Sequence, residues 1–178
     1  MALFTRENTV SSKQIFAGQV VSLRVDQLLS PGGQSFCREV VEHNGGVVIA
    51  CQPEPDKVIL IRQYRYTIDM DLLELPAGRL EAGEEPLLAA QRELLEETGY
   101  AARRWEPLAS MYSTPGFSNE LLYLFRAEGI TFQGKALDED EETEVMIMGV
   151  DEAWQLILNG KVSDAKTIAG IALLRNAD

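Results

Sequence analysis

Histidine occurs once in these 178 residues, cysteine twice, and aromatic residues make up only 7%. The lone histidine, His43, has no serine or cysteine nucleophile motif beside it, so a packing or turn role is expected rather than triad catalysis. The spacing of Cys37 and Cys51 suggests neither a zinc knot nor a disulfide framework, which leaves buried free thiols as the expectation. No run approaches the ~20 apolar residues needed to span a bilayer. The opening MALFTRENTV has neither a long apolar stretch nor a small-residue cleavage site. A cytoplasmic location without a membrane partner is the expectation. Positive charge is also scarce: 16 Lys and Arg stand against 28 Asp and Glu, a net charge of −12. Counterion release from a nucleic-acid backbone would therefore be a poor driving force, and an anionic ligand would need locally placed cations.

What is present is an ordinary globular composition, 46% hydrophobic and 25% charged, at a length that fits one domain with an appendage. Short β-rich runs at Gln19 to Val25 and Phe36 to Glu42 flank the turn signal Ser30-Pro31-Gly32-Gly33, which predicts an N-terminal antiparallel hairpin or small sheet. Further strands are expected at Gly46 to Cys51, Lys57 to Gln63, Trp105 to Tyr112, Glu120 to Glu128 and Val145 to Val150, with a turn at Pro76-Ala77-Gly78. Asp151 can cap a helix through about Leu158, and Ser163 or Asp164 a last one through Leu174. Strands and helices mix without regular βαβ alternation, which favours an α+β, mixed-sheet layered domain. The boundary falls near residue 44, dividing an N-terminal β-subdomain (1–44) from the main domain (45–178). Trp105 and Trp154 are assigned to core or interface.

One helix carries the chemistry. Pro86 suits the first helical position, where its missing N–H costs nothing, and Gly99 suits the left-handed residue past the end. At ~100° per residue, Leu87, Leu88, Ala90, Leu94, Leu95 and Thr98 gather on one side and Glu93, Glu96 and Glu97 on another. Glu93 and Glu97 are one turn apart, a like-charge spacing that is unfavourable unless compensated. Clustered carboxylates suit a hard divalent cation such as Mg²⁺, which can in turn hold phosphate oxygens. A solvated face with Arg92 pairing Glu96 is the plainer alternative for the triplet alone.

The residues Gly78, Glu84, Arg92, Glu93, Leu94, Glu96, Glu97 and Gly99 stand in the order G-x5-E-x7-R-E-L-x-E-E-x-G. This pattern resembles the Nudix box, with Tyr100 where an aliphatic residue is usual. The resemblance implies a Nudix α/β/α sandwich with a mixed sheet. It implies that Glu93 and Glu97 ligate Mg²⁺, with Mn²⁺ or another divalent metal able to substitute, and that Glu96 joins when more than one ion binds. The Ala77 carbonyl would be a further ligand. Arg92 would orient the carboxylates, Glu84 would support them from outside, and Gly78 would permit the turn that exposes the Ala77 carbonyl.

Two flanks narrow the resemblance to the ADP-ribose pyrophosphatase subgroup. Pro115 and Gly116 fall in Tyr112-Ser113-Thr114-Pro115-Gly116-Phe117, with Pro115 sixteen residues after Gly99. Upstream stand Ile61-Arg62-Gln63-Tyr64-Arg65-Tyr66 and Glu74-Leu75-Pro76-Ala77-Gly78. Arg62 and Arg65 can supply the positive charge that clamps a diphosphate, though an exposed sheet edge is the plain alternative; Glu74, Pro115 and Gly116 join them as candidate substrate contacts. The resemblance further implies a loop glutamate that deprotonates the attacking water, Glu141 first and Glu139 next, from the acidic run 138–144. It implies a homodimer through the N-terminal strands, in which the partner helps hold the adenine; the sequence does not identify the stacking residue, for which Phe16 and Phe36 are candidates that could equally be core. The expected reaction is hydrolysis of ADP-ribose, a small-molecule nucleoside diphosphate sugar, to AMP and ribose 5-phosphate. Another nucleoside diphosphate sugar such as GDP-mannose is the enzymatic alternative. A sensor that binds without cleaving is the non-enzymatic one.

Overall fold

Side-chain alternation along two central strands decides the layering of the main unit. The computed structural model describes residues 5–134 and 143–176. In β4 (Gly46–Gln52), every residue is buried, and in β5 (Lys57–Arg65) burial persists from Val58 to Ile61. These continuous apolar runs mark strands covered on both faces. Val48, Ala50, Val58 and Leu60 pack with Leu124, Met148, Ala153 and Ile171. Val47, Ile49, Cys51 and Ile59 pack instead with Ala89, Ala90, Leu94 and Phe125. One helix therefore covers one face, α1 (Pro86–Thr98). Two cover the other, α2 (Val150–Leu158) and α3 (Ala165–Asn176). This is an α/β/α sandwich of mixed α+β class.

Contacts divide the chain into two compact units, Met1–Gly45 with Tyr112–Leu121, and Gly46–Met111 with Leu122–Asp178. The first is built on a three-stranded antiparallel sheet of β1 (Thr9–Ala17), β2 (Ser22–Leu29) and β3 (Ser35–Glu42). Gly33, at φ 80°, closes the β2–β3 turn by donating its N–H to the Ser30 carbonyl at 2.9 Å. The strand expected at Gln19 to Val25 thus begins later, and β1 precedes it. Tyr112–Leu121, which holds Pro115 and Gly116, groups with this unit.

In the second unit the sheets pair as β7-β4-β10-β9 and β12-β5-β6, where β6 is Met70–Glu74, β7 Ala77–Arg79, β9 Arg104–Tyr112, β10 Leu121–Glu128 and β12 Thr143–Gly149. Strand β8 (Tyr100–Ala101) pairs with β11 (Thr131–Phe132). Because β4 runs parallel to β10 and antiparallel to β7, the first of these sheets is mixed. Pro76-Ala77-Gly78 is not the turn its composition suggests: Ala77–Arg79 is a short strand, and the Pro76 carbonyl accepts from Ile49 N–H at 2.8 Å. Proline lacks a donor but keeps its acceptor, so it fits the entry to an edge strand.

The termini of α1 agree with the sequence. Pro86 occupies the first turn, and Gly99 ends the helix at φ 76° with its N–H on the Leu95 carbonyl. Its faces differ from the helical-wheel expectation. Leu87 and Leu88 are exposed, whereas Glu97 is only 2% exposed. Helix α2 starts at Val150 rather than after an Asp151 cap, with Gly149 in the cap position and no side-chain cap. Asp164 does cap α3, accepting from Thr167 N–H at 2.9 Å and from its hydroxyl at 2.6 Å.

Candidate active site

Strand β7 and helix α1 position the acidic groups. Glu97 projects from the last turn of α1, and its Oε2 accepts the Ala77 N–H at 2.9 Å. Its backbone carbonyl accepts the Thr143 hydroxyl at 2.8 Å. Both ends of this buried residue are thereby fixed to neighbouring strands. Glu93 lies one turn earlier, against Gly78. A Cβ built on Gly78 would sit 1.8 Å from Glu93 Cδ and 1.9 Å from Oε1. Gly78 is therefore required for close approach of a carboxylate and not for a turn, and its φ is not in the left-handed region.

Arg92 binds the cluster together. Its guanidinium donates to both oxygens of Glu84 at 3.1 Å, to Glu93 Oε1 at 2.8 Å, to Glu96 Oε2 at 3.0 Å and to the Arg79 carbonyl at 3.2 Å. The planar fork allows one side chain to serve all of these partners. The Glu84 hydrogen bond, reinforced by Glu93 and Glu96, raises the Arg92 pKa despite opposing desolvation. Glu84 is held below the ordinary carboxylate range by Arg92 and then by the Glu81 N–H. Glu81 and Glu84 also close the loop leading into α1.

A second polar network, largely missed from the sequence, lies at the β5–β6 edge. Glu74, 1% exposed, accepts from Arg65 Nε at 2.7 Å and Nη2 at 2.8 Å, and pairs with Lys166 from the start of α3. Lys166 also pairs with Asp164 at 3.0 Å. Burial alone would push the Glu74 carboxyl up. The hydrogen bonds and charges of Arg65 and Lys166 outweigh it and hold the pKa below its ordinary value. Arg65 is raised, chiefly by its bond to Glu74, with Glu97 and Asp164 adding attraction. Lys166 gave no sequence signal because 92 residues separate it from Glu74.

Arg62 and Arg65 do not converge. Strand alternation puts Arg65 on the α1 face with Ile61 and Gln63, and Arg62 on the opposite face. There Arg62 pairs across the strand with exposed Glu144 at 2.7 Å. Pro115 and Gly116, in the other unit, are exposed and line a concavity of about 340 Å³ with Arg24, Asp26 and Arg38. Glu139 and Glu141 lie outside the described residues. His43 has the expected turn role, its Nδ1 accepting the Gly45 N–H at 3.0 Å. Trp105 packs edge-on to Phe125 and Trp154 under Arg175, both against the core. Phe16 is exposed and Phe36 half-buried. Cys51 is buried as expected, but Cys37 is exposed.

The NUDIX domain model matches residues 42–170. The chain belongs to the Nudix family. It is 39% identical over 171 residues to an ADP-ribose pyrophosphatase of Bacillus subtilis (strain 168), covering 95% of this chain and 92% of that protein. It is 38% identical over 177 residues to a methanol dehydrogenase activator of Bacillus methanolicus, covering 98% and 96%. A crystal structure of an ADP compounds hydrolase superposes with a TM-score of 0.83 at 20% identity, over 94% of this chain and 91% of that one, and shows the shared fold. The protein is a Nudix pyrophosphohydrolase with ADP-ribose pyrophosphatases among its relatives. No helix among the described residues is long and apolar enough to cross a membrane.

Nudix hydrolases generally use a divalent metal, and the donor chemistry fits one. All candidate donors around Gly78 are hard oxygens, the class preferred by Mg²⁺ and Mn²⁺. Gly78 also lets the Glu93 carboxylate occupy the place that any side chain there would fill. Among the described residues, no three His, Cys, Asp or Glu side chains already converge in a metal-binding group. Arg92 pairs with Glu93 and Glu96, and Glu97 accepts from the Ala77 N–H.

Proposed function

We propose that this Nudix hydrolase cleaves the diphosphate of ADP-ribose to AMP and ribose 5-phosphate with Mg²⁺, for which Mn²⁺ or another divalent metal can substitute. The observation that carries the reading is the pairing of Glu93 with Gly78 and of Glu97 with Ala77, which sets two carboxylates of one helix face against a single short strand. The named activity of the Bacillus subtilis relative supports the substrate.

In this reading Glu93, Glu97, Glu96 and the Ala77 carbonyl hold the divalent cation, which when bound supplies charge neutralisation for diphosphate oxygens and activation of water. Arg92 and Glu84 keep the carboxylates in register. Arg65, on the same sheet face as Gln63 and attracted by Glu97, supplies positive charge toward the diphosphate, while Glu74 fixes its orientation. Arg62, facing away, enters only through its sequence motif. Pro115 and Gly116 enter on their register with the box and shape the substrate site. Glu141, with Glu139 next, takes the proton from the attacking water. Residues 1–44 serve dimerisation and substrate contacts, and 45–178 hydrolysis. The protein works in the cytoplasm as a homodimer.

Release of AMP from ADP-ribose, followed chromatographically with MgCl2 or MnCl2 and with EDTA, is the deciding assay. No turnover with either metal sinks the proposal. A panel including GDP-mannose, compared by kcat/KM, measures the choice of base and sugar. The Bacillus methanolicus relative favours a second reading, in which the protein acts on another enzyme. Catalytic AMP release by the isolated protein decides for hydrolysis.

A further inference from the structure

Gln63 is the residue on the site face that the motif does not use. It is 8% exposed, and among the described residues its Oε1 is buried without a hydrogen-bond partner. An unsatisfied buried acceptor is rare in native proteins and destabilising. Neither neighbouring donor reaches it. Thr143 stands directly opposite on β12, but its single hydroxyl proton is given to the Glu97 carbonyl at 2.8 Å. Arg65, two residues on and on the same face, turns Nε and Nη2 onto Glu74 and makes no bond to Gln63 Oε1. Gln63 thus sits between the strand residue that steadies Glu97 and the arginine that Glu97 attracts.

The chemistry of the orphan atom selects its partner. A carboxamide oxygen accepts hydrogen bonds. It would face a phosphate oxygen acceptor to acceptor, so it suits a hydroxyl or a water. Resting on the hydrolase reading above, we propose that Gln63 Oε1 is a ligand-binding group, satisfied by an O–H donor that enters with the bound ligand. The donor is either a ribose hydroxyl or a water ordered on cation binding. With a ribose hydroxyl as donor, Gln63 favours sugar-bearing diphosphates over inorganic ones; with an ordered water it does not discriminate between them.

The test is Gln63→Met, which keeps the side chain's length and removes both polar atoms, with Gln63→Leu as a second variant should the first fail to fold. Thermal melting is measured for the free protein, with MgCl2, and with MgCl2 plus the α,β-methylene analogue of ADP-ribose. The free variant is expected to melt no lower than wild type, because the orphan is gone, while the ligand-induced rise shrinks and kcat/KM for ADP-ribose falls about tenfold, the worth of one hydrogen bond. Loss of the rise with MgCl2 alone assigns the donor to an ordered water. Loss only with the analogue assigns it to a ligand hydroxyl. A variant that keeps both ligand-induced rises and its kcat/KM overturns the proposal, as does one that merely melts lower with those rises unchanged. If wild type releases no AMP, the hydrolase reading fails, and the melting comparison still decides the role of Gln63.

Discussion

Replacing Gly78 by alanine adds one carbon at the point where strand β7 meets the acidic helix. The new Cβ would lie 1.8 Å from Glu93 Cδ. Carbon atoms pack at about 3.5 Å, so the carboxyl must retreat by about 1.7 Å. That displacement breaks the 2.8 Å bond from Arg92, a loss of about 1.5 kcal/mol at the lower end for a charged, partly exposed pair. The backbone itself accepts alanine, because Gly78 is absent from the positive-φ residues, and the carboxylate can swing on its own flexible stem. G78A should therefore fold, with Tm lowered by about 3–6 °C. Mg²⁺–oxygen bonds are about 2.1 Å long, so a carboxylate moved this far no longer ligates, and activity should fall about 100-fold or more. Far-ultraviolet circular dichroism, thermal melting and AMP release over a MgCl2 titration give the three readouts. Wild-type turnover in a folded G78A protein would refute the close-approach argument.

Glu97→Gln retains a side-chain oxygen for the Ala77 N–H and should melt near wild type while losing at least about 100-fold in AMP release; retained turnover would remove Glu97 from the ligand set. Glu74 makes stability depend on acid. Its folded-state pKa is depressed below the ordinary 4.5, so the unfolded chain takes up the proton first. The contribution is fully present above about pH 4.5 and lost as pH falls through the lower folded value. Urea melts from pH 7 to 3 should show a steeper loss below pH 4.5 in wild type than in Glu74→Gln; parallel curves would contradict the network. Burial pushes the Cys51 thiol up to about 12, whereas Cys37 is exposed. Ellman's reagent at pH 8 should therefore titrate one thiol in the native protein and two in guanidinium.

Helix α1 could be read to within its caps because Pro86 and Gly99 act locally, and the box could be read because its letters are fixed in spacing. What escaped depends on pairing across the chain. Strand β1 buries almost nothing along its length, so it has no apolar alternation to announce it. Ala77–Arg79 is a strand only because β4 lies beside it. That Arg62 and Arg65 lie on opposite faces follows from parity, since three residues along a strand reverse the face. A polar Gln63 in register with the buried positions of β5 was a signal, but only once the strand's covered face was known. Lys166 and Thr143 reach the site through contacts 92 and 46 residues distant in sequence.

Arg92 carries a consequence for how the protein is made. Its guanidinium touches Glu84, Glu93 and Glu96 together, so the chain neutralises its own acidic face with a tethered cation. Folding then has no need to wait for an ion from solution, unlike small domains whose ligands repel one another until metal arrives. The polypeptide can reach its native form in a metal-poor medium and take up its cation afterwards, onto carboxylates that the tethered guanidinium already holds in register.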